Sequence, residues 1–175
     1  MPSRFPPTYA QCRWLLIPVV AAHNLEEWVM VPSYGSIAPA LQANLSGLLS
    51  PPPLRVLHIA WLLVTLAPVI VVLAAAAAGR SRFRDGLVCC VAAMYLANAI
   101  FPHLLEFAMR RAYSPGLVTA VFVVAPFTNL LLRQALREQY LSGRQLAAAV
   151  VAGVLGLPFM LGLTLAISSA LASKS

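Results

Sequence analysis

The chain has 175 residues, 61% of them hydrophobic and 10% charged, with a net charge of +7. Soluble domains carry roughly 25% charged residues, so an ordinary water-soluble globule is excluded. Nucleic-acid binding is not expected either. The arginines sit at the ends of apolar stretches, where membrane orientation and lipid headgroups account for them, and no basic run is interleaved with aromatics.

Trp14 to Pro32 is the first long apolar stretch. Its basic start and small residues Ala21 and Ala22 also suit a cleaved signal; we read it as a retained spanning helix. The connector 33–53 ends in Ser50-Pro51-Pro52-Pro53, and the prolines bar a continuous helix there. Within it, Ile37 to Leu49 suits an ordered connector, a short interfacial helix or a lid. Leu54 to Ala78 and Leu87 to Met109 follow, then a tight turn at Tyr113-Ser-Pro-Gly116. Leu117 to Leu132 and Leu146 to Leu171 complete the set. Each approaches or exceeds the ~20 residues that cross a bilayer. The expected fold is all-α: one membrane-embedded domain over 1–175, a bundle of five transmembrane helices.

The last stretch carries Gly153, Gly156 and Gly162, which suit close helix packing within the bundle or in a homo-oligomer. Cys12, Cys89 and Cys90 read as small core residues, because helical neighbours point about 100° apart and rarely bridge. Eight basic residues (Arg4, Arg13, Arg80, Arg82, Arg84, Arg133, Arg137, Arg144) fall on one predicted side. Four (Arg55, Arg110, Arg111, Lys174) fall on the other. The richer side is expected to be cytoplasmic, with the N-terminus inside, and the setting a bacterial-type plasma membrane.

Of five acidic residues, Asp85 and Glu138 fall in predicted loops, while Glu26, Glu27 and Glu106 lie within predicted membrane helices. Three unpaired charges there cost on the order of 10 kcal/mol, so these groups must be neutral, paired or coordinated. All three histidines lie in helices as well. His23 stands three and four residues before Glu26 and Glu27, and His103 three before Glu106, spacings that share a helix face. At ~1.5 Å per residue, Glu27, His23, His58, Glu106 and His103 all fall within ~6–13 Å of the outer helix ends. Asn98 lies deeper, as a candidate floor or catalytic group, and Pro102 is expected to kink the helix beside His103.

Imidazole with carboxylate suits a divalent metal, zinc or iron among them. The candidate ligands are His23, Glu26, Glu27, His58, His103 and Glu106, enough for one ion or two. Glu27 is the candidate general acid or base. Tyr113 and Thr119 border the same layer as candidate substrate contacts.

These residues carry a resemblance. His23-Asn-Leu-Glu-Glu27, then Asn98 with His103, then Tyr113-Ser-Pro-Gly116 and Thr119-Ala120 resemble the motifs of the HXXEE membrane-protein family. The resemblance spans roughly Trp14 to Arg133. It implies an integral membrane protein of similar size, suspected to be enzymatic, with a site at His23, Glu26, Glu27, Asn98 and His103. It implies no substrate.

The expected function is therefore a metal-dependent membrane enzyme acting on a lipophilic substrate by oxidation or hydrolysis, with membrane lipid around it. Two alternatives stay open. One is a metal-free acid–base isomerase or cyclase of sterol or terpenoid type. The other is a proton- or ion-coupled transporter.

Overall fold

The structure, a computed structural model, describes residues 6–30, 52–77 and 79–173. The Ile37 to Leu49 segment lies outside the described residues. No strand occurs among those described. The chain forms helix α1 (Tyr9–Met30) and helix α2 (Leu54–Ala77). Helix α3 (Arg82–Asn98) runs through a π-helical segment (Ala99–Leu104) into α4 (Leu105–Arg110). After a turn, α5 (Leu117–Thr119) runs through a second π-helical segment (Ala120–Val124) into α6 (Ala125–Arg137). Helix α7 (Gly143–Ala172) closes the bundle. Among the described residues these make five rods, the third being α3–α4 and the fourth α5–α6.

Four of the five rods are long and apolar enough to cross a membrane, which marks the chain as a membrane protein. The exception is α1. Its 22 residues give it a length of about 33 Å, but Gln11, Arg13, His23, Asn24, Glu26 and Glu27 lower its hydropathy. The expected five spans are thus four by apolarity, because α1 carries most of the bundle's polar chemistry.

The α7 start is fixed by a capping box, in which Ser142 and Gln145 satisfy each other's backbone N–H groups. The third rod is central and packs on α2, α6 and α7. Its approach to α7 is closest at Gly153, where a Cβ would run into the Cys90 carbonyl oxygen. A Cβ on Gly156 would reach only Met94, 3.4 Å away, and one on Gly162 would meet nothing. The glycines thus serve contacts inside the bundle at Gly153 and Gly156. The cysteines are unbridged, and Cys12 and Cys89 are buried, as small core residues should be.

Two turns and the start of α1 share one end of the bundle. Arg80 donates to the carbonyls of Glu138 and Gln139 and lies 4.2 Å over the Tyr140 ring. The Tyr9 amide donates to the Glu138 carboxylate at 2.8 Å. Buried Asp85 stands 3.9 Å from Arg13. The predicted basic-rich side is therefore clasped by its own polar contacts. The end of α1 and the turn before α5 meet at the opposite end. Large apolar side chains such as Ile70, Phe122, Leu155 and Phe159 point outward from the rods, as they do where the solvent is hydrocarbon.

Candidate metal centre

His23, Glu27 and His103 come together at that opposite end. One ligand atom from each lies within 4.8 Å of the other two, so the group could hold a metal ion. Glu27 Oε1 is 3.1 Å from His103 Nε2 and 3.7 Å from His23 Nε2. Ligands bound tetrahedrally at zinc distances stand about 3.4 Å apart, a value that the two Glu27 separations bracket. The two rings meet edge to face with centroids 5.0 Å apart. Both histidines are buried and Glu27 is half-buried.

The α-helix explains His23 and Glu27, which are one turn apart on α1. It does not explain Asn98 and His103. Five residues apart, they would point about 140° from each other on an α-helix. The π-helical segment 99–104 adds a residue to the turn, and its i to i+5 repeat brings both to one side. Pro102 gives the reason. It lacks the N–H that an α-helix would aim at the Asn98 carbonyl. Asn98 Nδ2 then lies 3.2 Å from His23 Nε2 and 3.5 Å from His103 Nε2. The expected kink is therefore a change of helix type.

A supporting set holds these groups. Thr119 Oγ1 donates to the Gly116 carbonyl and lies 2.9 Å from His23 Nδ1. The hydroxyl thus accepts from His23, which keeps the proton on Nδ1 and turns the Nε2 lone pair toward Glu27 and His103. Trp61 Nε1 donates to Glu27 Oε2 at 2.7 Å, leaving Oε1 to face both rings. Gly116 seals the far side. Its φ is +85°, and a Cβ there would sit 2.8 Å from His103, 2.9 Å from Glu27 and 3.0 Å from His23.

The remaining expected site residues are placed differently. Glu26 is not in the group. It accepts from Tyr113 Oη at 2.6 Å and from the amides of Thr119 at 2.8 Å and Val118 at 3.3 Å. It thereby caps the fourth rod, whose first N–H groups have no partners within the helix. Tyr113 and Thr119, expected at a substrate, here hydrogen-bond Glu26 and His23. His58 stacks on Trp28 at 4.1 Å between ring centroids, 8° from parallel, outside the group. Glu106 is half-buried one turn beyond His103 on α4 and also lies outside it. The six-ligand expectation thus becomes a group of three, because the π-helical segment re-aims His103 and the fourth rod claims Glu26. Trp61 escaped the sequence reading, and Gly116 entered it only as part of a turn and of a family-like motif. An indole in an apolar helix signals packing, and a turn glycine signals only a turn.

A cavity of about 280 Å³ adjoins the group. Glu27 and Asn98 stand on its wall, and most of the rest is apolar, with Leu57, Val64, Met94 and Leu161 among the lining residues.

Fold and site together define a helical membrane protein with a buried histidine–glutamate group beside an apolar cavity. The chain belongs to the family described as "protein of unknown function with HXXEE motif", which matches residues 14–131. His23-Asn-Leu-Glu-Glu27 is the motif of that description. Nothing among the curated proteins and nothing among the solved structures matches the chain.

Proposed function

We propose that this protein is an integral membrane metalloenzyme acting on a lipophilic substrate, with His23, Glu27 and His103 as ligands to one divalent ion. The observation that carries the reading is the convergence of two imidazole Nε2 atoms and one carboxylate oxygen beside an apolar cavity. Two histidines and one carboxylate form a donor set taken by zinc in hydrolytic sites and by non-haem iron in oxidative ones. A bound ion would supply a Lewis acid for hydrolysis or a redox centre for oxidation. The chain's own residues do the rest. Thr119 engages His23 Nδ1, Trp61 holds one Glu27 oxygen, and Gly116 packs directly against all three side chains of the group. Asn98 stands between the two rings and the cavity, where it can orient a polar group of the substrate. In the orientation we propose, the N-terminus is cytoplasmic and the site lies in the outer half of the membrane.

Elemental analysis of protein purified in detergent without added ions tests this. Stoichiometric zinc or iron is expected. Substituting His23→Ala, Glu27→Gln or His103→Ala should remove it, while His58→Gln and Glu106→Gln should leave it. A folded preparation with no metal, and none taken up on addition, sinks the reading.

One observation favours a second reading in that event. Glu27 Oε1 and His103 Nε2, 3.1 Å apart, are close enough to pass a proton. A metal-free isomerase or cyclase would keep its activity in chelator and lose it in Glu27→Gln.

A further inference from the structure

We infer that the cavity beside Glu27 binds a single-chain lipophile with one uncharged oxygen function, hydroxyl or carbonyl, that enters sideways from the bilayer between α2 and α7. Calling this ligand the substrate rests on the enzyme reading above; the binding itself does not need the ion.

Size comes first. The cavity holds about 280 Å³. At about 30 Å³ for each water-sized group, that is room for roughly nine such groups. One chain fits there, and a two-chain lipid does not.

Polarity sets which end goes in. The wall is mostly hydrocarbon, and several of its polar groups are already engaged. Thr164 donates to the Met160 carbonyl, Tyr95 to the Val64 carbonyl at 2.9 Å, and Trp61 to Glu27. Polar groups able to meet a ligand oxygen are thus concentrated at Glu27 and Asn98, beside the histidines. An apolar chain with one oxygen at its end matches a wall that is apolar except at one end.

Access sets the charge. Leu157, Leu161 and Leu165 form a stripe of one helical repeat on α7 and all line the cavity. Leu161 at the middle of that stripe is also 42% exposed, so the wall opens to the outside there. Both α2 and α7 are long and apolar enough to span, so that opening faces hydrocarbon. A charged head crossing hydrocarbon is disfavoured, and an uncharged oxygen is tolerated far better.

The test uses hexan-1-ol carrying a diazirine in its chain, a probe sized to the cavity, added to the full-length protein in detergent and irradiated. Labelling should fall on the cavity stripe around Leu157 and Leu161. It should be displaced by excess octan-1-ol and not by a two-chain phosphatidylcholine. Ala60→Trp, which fills the cavity, should reduce labelling by roughly tenfold or more. Leu161→Trp at the exposed rim is the second variant, chosen because it is easily accommodated, and should do the same. Labelling that is equal on the outward residues Leu155 and Phe159, or that survives both tryptophan variants, overturns the proposal. Metal content is measured on the same samples. If His23→Ala removes metal and keeps displaceable labelling, both readings stand. Displaceable labelling of a protein that never contained metal retires the metalloenzyme and leaves the lipophile site.

Discussion

Within the motif His23-Asn-Leu-Glu-Glu27, adjacent glutamates take different work. Glu27 faces the histidines, and Glu26 turns to the fourth rod, because neighbours on a helix point about 100° apart. Glu26→Ala should therefore destabilise the fold by about 1–2 kcal/mol through loss of a cap, read as a lower melting temperature in detergent, while metal stoichiometry at saturation persists. Thr119→Val removes the acceptor for His23 Nδ1. Metal affinity should fall about 10–100-fold, measured by competition with a chelator of known affinity. Gly116→Ala meets two obstacles. A left-handed conformation costs a non-glycine residue about 1–2 kcal/mol, and the new methyl would press on all three members of the group. Both metal occupancy and melting temperature should drop. The types of residue in the site were legible in sequence, since intramembrane acids and histidines stand out by their cost. Their partners were not. Nothing in the spacing of Glu26 reveals that the amides of Val118 and Thr119 will reach it first.

The π-helical segment is where an element decides the chemistry. A regular helix over the same residues would set Asn98 and His103 on different faces. Proline at 102 removes one α-helical hydrogen bond and makes the wider turn the better arrangement. The second π-helical segment ends just before Pro126, whose missing N–H would have served Phe122. Pro102→Ala should let the first segment relax toward α-helix and swing His103 away from Glu27. Metal affinity should fall by about tenfold or more if that ligand is lost, measured as for Thr119→Val; unchanged affinity would show that packing alone maintains the π turn. Sequence signalled a disturbance at Pro102 but not its kind. Kink and π turn begin from the same missing donor, and only the surrounding packing chooses between them.

At the scale of the molecule, the polar clasp and the candidate metal centre occupy opposite ends of one bundle. The clasp gathers the start of α1 with the α2–α3 and α6–α7 turns, which carry most of the arginines. If that end is cytoplasmic, a fluorescent protein fused to the N-terminus should light up, and one fused to the C-terminus by a secretory route that prevents folding outside should stay dark. The reverse pattern would place the centre in the inner half. The bundle also accounts for α1. A helix with this many polar groups is disfavoured alone in lipid, and here it packs on α2 and α6 with His23 and Asn24 buried.

Composition alone decided that the chain belongs in a membrane, since no arrangement of so many apolar residues suits water. Helical periodicity put His23 and Glu27 on one face, because one turn of backbone is a local property. What three-dimensional packing decided was membership of the centre: His103 and Asn98 joined through a change of helix type, Glu26 was drawn off by a neighbouring rod, and His58 stacked on an indole. Those outcomes depend on contacts between segments distant in sequence, and hydrogen-bonding groups go to whichever partner the packed rods bring nearest.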